Sequence, residues 1–375
     1  MKKRLLAVAA FMLSLNGYAA NDAAWMRYCA ISPNGQQIAF SYKGDIYTVG
    51  VNGGRANQIT TNPAHDTHPI WSPNGQQIAF ASDRLGGMDI YIVDKEGGVP
   101  TRITTHSGNE TPLAFKDNEH ILFQANILPA ADDMQFASAQ FPQVYEVSTS
   151  GGRPIMFSSM PMEDISISAD GKTLLYHDKK GYEDNWRKHH TSSITRDVWM
   201  CNLDGERSYK KLSTFNGEDR TPVWANADTY YYLSEQNGSF NVFKANLNEG
   251  NPIQVTKHDK HPVRFLTRAN NGTLCYGYDG GIYTLKEGEQ PQKVNINVVT
   301  DKIDRDIIRQ IKNSGATQIA LSAEGKEVAF ILRGDVYVTS TEYKTTKQIT
   351  NTPQQERNVD FAPDGRSLVY ASERN

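Results

Sequence analysis

The sequence predicts an all-β fold built from a repeated four-stranded unit, a β-propeller, and three observations predict it. The text Ser32-Pro33-Asn34-Gly35-Gln36-Gln37-Ile38-Ala39-Phe40 returns 40 residues later as Ser72-Pro73-Asn74-Gly75-Gln76-Gln77-Ile78-Ala79-Phe80. Weaker copies stand at Ser168-Ala169-Asp170-Gly171-Lys172-Thr173-Leu174-Leu175-Tyr176, at Ser322-Ala323-Glu324-Gly325 and at Ala362-Pro363-Asp364-Gly365. Turn signals between the copies leave room for four short strands per unit, the size of a propeller blade.

Each piece of the unit has a physical role. The Pro-Asn-Gly or Pro-Asp-Gly step is a turn, in which Pro fixes φ and Gly accepts a positive one. Ile78-Ala79-Phe80 is a β run, with Ile78 and Phe80 on one face and Ala79 on the other. Asp83-Arg84-Leu85-Gly86-Gly87 turns the chain, and Asp89-Ile90-Tyr91-Ile92-Val93-Asp94 is the next run. Gly97-Gly98 turns it again into Arg102-Ile103-Thr104-Thr105, and the segment ending Pro69-Ile70-Trp71 supplies a strand ahead of the repeated turn. One such sheet cannot bury both of its faces, but a ring of them does. Phe40, Tyr47, Trp71, Phe80 and Tyr91 are therefore expected between blades, as core.

Counting units predicts a six-bladed propeller over 22–300, with blades ending near residues 61, 105, 157, 214, 256 and 299. The third holds an extra stretch, 126–141, and the fourth an insertion, 181–196. The charged run Asp301-Lys302-Ile303-Asp304-Arg305-Asp306 lacks turn chemistry and reads as a linker or a short crossing strand. The unit restarts at Thr317, so 301–375 is expected to hold a linker and the first one and a half blades of a second propeller, cut short. A half blade would leave a sheet unpaired, which predicts an amino-terminal part of a longer chain. A single ring of seven or eight blades is the alternative.

Composition narrows the function classes. With 38% hydrophobic and 22% charged residues the chain is globular, and a net charge of −3 gives no basic face for nucleic acid. Residues 1–20 are a different text: Lys2-Lys3-Arg4, an apolar run of 11 residues from Leu5 to Leu15, then Gly17-Tyr18-Ala19. This predicts a secretory signal peptide cleaved after Ala19 or Ala20, and a periplasmic or secreted protein. A membrane anchor is the weaker alternative, since a span takes about 20 apolar residues. Cys29, Cys201 and Cys275 are too few and too scattered for a disulfide framework or a metal motif, and read as small core residues.

No Gly-x-Ser-x-Gly elbow, His-Glu-x-x-His or phosphate loop is written in the sequence. No catalytic residue, metal or cofactor is therefore assigned to this chain. His65-x-x-His68 and His258-x-x-His261 each precede a first strand, and the matching stretches elsewhere read Glu110-Thr111-Pro112 and Asp219-Arg220-Thr221-Pro222. We read His68, Glu110, Arg220 and His261 as a mixed-charge collar at one rim of the central channel. The fourth-blade insertion, Gly181-Tyr182-Glu183-Asp184-Asn185-Trp186-Arg187-Lys188-His189-His190-Thr191, packs acids, bases and a Trp into one loop. Trp186, Arg187, Lys188 and His189 are the candidate peptide-contacting or docking residues, the two cations being suited to a carboxylate.

The unit Ser-Pro-Asn-Gly-x-x-Ile-Ala-Phe at 32–40 and 72–80, followed by Asp89-Ile90-Tyr91 and Gly97-Gly98, resembles the TolB-type propeller repeat. TolB, the prolyl oligopeptidase group and the tricorn proteases share it. The segment 181–199, ending Thr195-Arg196-Asp197-Val198-Trp199, is similar to bacterial tricorn-like peptidases. So is Gly217-Glu218-Asp219-Arg220-Thr221-Pro222-Val223-Trp224 with Asn237-Gly238-Ser239-Phe240-Asn241. Six units, a break and a restart match the tricorn layout. The resemblance implies a large serine peptidase whose catalytic residues lie beyond residue 375, beside a PDZ-like module. It implies that the propeller gates or guides peptides or unfolded segments, and it allows a homo-oligomer. A TolB-like propeller that binds envelope proteins is the alternative, and a prolyl-oligopeptidase-type enzyme would need a hydrolase domain further along.

Overall fold

The computed structural model describes residues 25–127, 141–182, 191–248, 250–299, 314–343 and 345–374. They are strands, turns and bends; no helix occurs among the described residues, so none is long and apolar enough to cross a membrane. They fall into two compact units, one before and one after the break at residue 300.

In the first unit six four-stranded antiparallel sheets follow one another, each a meander in chain order. Their first strands are Arg27–Ile31, Asp66–Trp71, Thr111–Phe115, Met162–Ile167, Asp219–Trp224 and Arg264–Arg268. Each packs on the next, and Arg264–Arg268 packs back on Arg27–Ile31. The all-β, propeller-type architecture expected from the repeat is present.

The repeated turn shows why its sequence is kept. Ser32 N donates to Gln37 O at 2.8 Å, and Gly35 N to Ser32 O at 2.8 Å. The Ser32 hydroxyl donates to Asn34 Oδ1 at 2.7 Å, and Gln36 N donates to the same oxygen at 3.0 Å. Ser72 and Asn74 repeat the pattern. Gly35 has φ of +71°, and a Cβ there would lie 2.3 Å from Asn271 Nδ2 of the sixth sheet. The backbone conformation calls for glycine, and any larger residue would also have to displace the Asn271 side chain.

Strand alternation sends bulky side chains to one neighbouring sheet and other side chains to the opposite one. Ile78 and Phe80 join Ile46 and Tyr91 between the first and second sheets, while Ala79 joins Phe115, Phe123 and Tyr145 between the second and third. Leu174 and Tyr176 pack toward the third sheet and Leu175 toward the fifth. Tyr231 and Leu233 pack toward the sixth. The seam between first and sixth sheets has its own cluster, with Phe40, Tyr47, Cys29, Cys275 and Ile282. Phe40, Tyr47, Trp71, Phe80 and Tyr91 are all buried, as are the three cysteines.

Beyond the sixth sheet the chain returns to the first. Ile296–Asn297 pairs in parallel with Gly54–Arg55. Gly54 N donates to Asn295 O and Ala56 N to Asn297 O, both at 2.9 Å. The second unit holds a four-stranded sheet (Ala316–Leu321, Glu327–Leu332, Asp335–Ser340, Thr346–Gln348) and a pair of strands, Glu356–Phe361 and Leu368–Ser372. Ala329, Ile331, Val336 and Val359 form its core. The extra stretch of the third blade lies, for 128–140, outside the described residues, as does the charged run 301–313.

Candidate functional site

A cavity of about 1090 Å³ runs along the first strands of all six sheets. Each first strand is interrupted by a bulge, where its register with the second strand shifts. In five sheets the bulge holds a non-glycine residue in the left-handed region: Tyr28 (φ 51°), His68 (54°), Asp164 (49°), Thr221 (50°) and Phe265 (58°). Such a backbone costs on the order of 1–2 kcal/mol per residue. The third sheet carries Pro112 at this position, whose ring fixes φ negative, and its bulge is shorter, between Pro112 and Ala114. All five left-handed residues line the cavity. A bulge re-aims a side chain that strict alternation would send between sheets.

Several of them touch one another in its lining. The Tyr28 ring lies 3.7 Å, centroid to centroid, from His68 and 4.8 Å from Phe265. The Thr221 hydroxyl donates to Asp164 Oδ2 at 2.6 Å. Burial pushes the His68 imidazole down to about 4 against the opposing pull of Asp164, so the ring is neutral at pH 7. Burial likewise raises the Tyr28 hydroxyl. This part of the lining joins an aromatic group, Tyr28, His68 and Phe265, to a carboxylate and a hydroxyl, Asp164 and Thr221.

Behind Asp164 stands a layer of ion pairs. His177 Nε2 faces Glu163 Oε2 at 3.1 Å, and Lys179 Nζ reaches Glu163 Oε1 at 3.1 Å. The buried Arg196 spans Glu163 (3.3 Å) and Glu218 (2.7 Å), and Arg220 shares Glu218. Burial alone would raise the Glu163 carboxyl, but His177, Lys179 and Arg196 outweigh it and hold it well below the usual carboxylate range. Arg220 also lies over the Phe240 ring at 5.1 Å. A buried guanidinium between two carboxylates fixes their positions, and with them the Asp164 bulge beside Glu163.

The structure brings two of the four expected collar residues to the cavity, His68 and Arg220. Glu110 is fully buried and turned away from it, accepting from the Thr104 hydroxyl at 2.8 Å. Burial raises its carboxyl to about 7, with Thr104 opposing. His261 stands outside the cavity lining, 3.4 Å from Asp279, because it precedes the sixth first strand by three residues. His258 is likewise occupied, its ring 3.9 Å from Tyr278 and its Nε2 3.1 Å from the Tyr276 hydroxyl. Trp186, Arg187, Lys188 and His189 lie outside the described residues.

Tyr28, Asp164, Thr221 and Phe265 escaped sequence reasoning. Each stands four residues before the first position of its blade's repeated turn, as His68 does before Ser72. Aligning the first strands on that turn would have found them.

Sheets of this order around an axial cavity define a β-propeller protein. The chain belongs to the tricorn protease N-terminal β-propeller domain family, whose description matches residues 23–291. It is 21% identical over 344 residues to "Tricorn protease homolog 1" of Streptomyces coelicolor (strain ATCC BAA-471 / A3(2) / M145), covering 90% of this chain and 31% of that protein. A crystal structure of the tricorn protease aligns with a TM-score of 0.66 at 18% identity, over 90% of this chain and 32% of that one. The chain thus spans about a third of the length of these relatives. TolB from Acinetobacter baumannii aligns more loosely, with a TM-score of 0.44 at 12% identity, over 85% of this chain and 77% of that one.

Proposed function

We propose that residues 22–300 form a closed six-bladed propeller that gates or guides peptides in a secreted, tricorn-like serine peptidase, and that 301–375 begin a second propeller. The part of the lining that joins Tyr28, His68 and Phe265 to Asp164 and Thr221 carries this reading. At five bulges the left-handed backbone places a side chain in the lining of one cavity. An extended peptide presents apolar side chains and amide N–H groups, and this ring offers aromatic faces and acceptors to both. Six sheets with a separate core cluster at each of six interfaces support the blade count. The restart of the unit at Thr317 supports the second propeller. The charged start and apolar run of residues 1–20 support secretion.

The test is peptide binding by the 375-residue protein, read by anisotropy of fluorescein-labelled unstructured peptides. Thr221→Trp adds bulk to this lining and is expected to weaken binding at least ~10-fold, about 1.4 kcal/mol. Equal binding by variant and parent would sink the gate. Hydrolysis of the same peptides is expected only when the remainder of the longer protein is present. Capture of folded proteins that Thr221→Trp leaves untouched would favour a TolB-like interaction propeller.

A further inference from the structure

Five of the six interfaces between sheets join sheets that are consecutive in the chain. The sixth, where the last sheet meets the first, joins elements from opposite ends of the unit. Two of the three cysteines stand at that seam. Cys29 lies on the first strand of the first sheet, and Cys275 on the second strand of the sixth, Leu274–Tyr278, and these two strands pack directly together. Both side chains are buried, at 2% and 0% exposure, in one hydrophobic cluster. Hydrogen bonds hold them in register. Cys29 Sγ donates to Phe265 O at 3.5 Å, Ile31 N donates to Thr267 Oγ1 at 3.1 Å, and Thr267 is the strand partner of Cys275. The Cys29 thiol lies close enough to act on the Cys275 thiol, and neither is in a disulfide. Cys201, the third cysteine, belongs to the cluster between the third and fourth sheets.

We propose that Cys29 and Cys275 are an oxidisable dithiol pair that latches the seam between the first and sixth sheets as a disulfide. The co-reactant is a disulfide oxidant of the glutathione class. One cysteine thiolate attacks its S–S bond and releases one reduced thiol. The other thiolate then attacks the mixed disulfide and releases the second. One S–S bond forms as one breaks, and the two electrons and two protons lost by the pair end on the two released thiols. Burial raises the Cys275 thiol well above its ordinary value, so exchange proceeds during folding or when the seam opens, and the closed ring protects whichever state it was closed in. A bond here encloses almost the whole first unit, where the loop-entropy effect on the unfolded chain is large.

The full chain is refolded from denaturant in mixtures of reduced and oxidised glutathione, blocked with iodoacetamide and digested with trypsin without reduction. The tryptic peptides 28–43 and 269–286 are expected as one linked species whose yield rises with the oxidised fraction, with Cys201 alkylated. The linked protein is expected to melt roughly 5–10 °C above the reduced one. In Cys29→Ala and Cys275→Ala the midpoint should no longer depend on the glutathione ratio. The peptide map of the parent decides the matter even if either variant folds poorly. Refolded protein with native near-ultraviolet dichroism and both seam cysteines alkylated at every ratio would overturn the pair. So would linkage through Cys201, or a linked species that melts no higher than the reduced protein.

Discussion

Among the described residues His68 has no acid at hydrogen-bond distance, and it stacks on Tyr28 3.7 Å away, so its neutral form is the one the fold accommodates. Its pKa falls to about 4 in the folded protein against 6.5 for the free side chain. Between those values the unfolded chain binds a proton that the folded one does not. The stability His68 contributes is therefore complete above pH 6.5 and lost as pH falls toward about 4. His68→Phe keeps the stack, and its urea midpoint is expected to fall less steeply across that window than the parent's. Glu110 has the opposite sign. Its folded carboxyl holds its proton to about 7 against an ordinary 4.5, so its contribution is complete below pH 4.5 and lost as pH rises through about 7. Glu110→Gln retains an oxygen for the Thr104 hydroxyl. It should gain on the parent by roughly 2 kcal/mol between pH 5 and pH 8 in denaturant titrations; a gap that does not change with pH would refute the buried acid. These residues also show why the site was only half legible. The bulge position reads Tyr28, His68, Pro112, Asp164, Thr221 and Phe265 around the sheets. What these positions share is a backbone conformation, and no residue type marks it. His68 stands out in the sequence because a second histidine lies near it, and Glu110 because it occupies a similar stretch of text, though its side chain serves the core.

At the scale of one blade, the short fourth strand is held by a side chain. In the first, second, fifth and sixth sheets that strand is two residues long, Asn57–Gln58, Thr101–Arg102, Ile253–Gln254 and Gln292–Lys293. Two residues give too little ladder to fix a strand. In the first three of these sheets a hydroxyl just beyond the strand supplies a further bond. Thr60, Thr104 and Thr256 accept from the N–H of Ile46, Ile90 and Val242 at 2.9, 2.8 and 2.9 Å. Ser213 does the same for Val198, and Thr350 for Val336 in the second unit. The hydroxyl then donates to a residue at the start of the third strand: Thr256 to Asn241 and Thr350 to Asp335, which open it, and Ser213 to Asp197, just before it. Thr256→Val keeps the shape and strands a buried N–H, so it should cost about 1–3 kcal/mol, read by chemical denaturation. Exchange of the Val242 amide should accelerate with it, and an unchanged rate would place the stabilisation elsewhere. The blade was readable because its repeated turn and Asp-Ile-Tyr step fix local geometry through local bonds. The clamp links residues 14 or 15 apart through a single hydroxyl, so its two ends look like unrelated polar residues in the sequence.

At the scale of the whole first unit, the question is what holds the last sheet to the first. Periodicity predicted the number of units, but the closing contact is made by text that does not repeat. Val294 and Ile296 are buried in the seam cluster, and Ile296–Asn297 lies in parallel beside Gly54–Arg55. Gly53 permits the approach: its φ is +85°, and a Cβ on it would stand 2.4 Å from Asn295 O. Burying a Val and an Ile contributes about 1.5–3 kcal/mol each, and the backbone bonds from Gly54 and Ala56 add about 1 kcal/mol apiece. That sum, roughly 5–8 kcal/mol, rivals the whole stability of an ordinary domain, about 5–15 kcal/mol. A chain ended after residue 299 is therefore expected to unfold in one cooperative transition. A chain ended after residue 292 should lose roughly 5 kcal/mol or melt in two steps, with amides of the first and sixth sheets exchanging ahead of those in the third and fourth. Gly53→Val in the longer chain should reproduce the defect in milder form, because it disturbs the pairing and leaves Val294 and Ile296 in place. Equal midpoints for the two truncated chains would mean that the first and sixth sheets hold each other through their own faces, and that the returning strand only rests upon them.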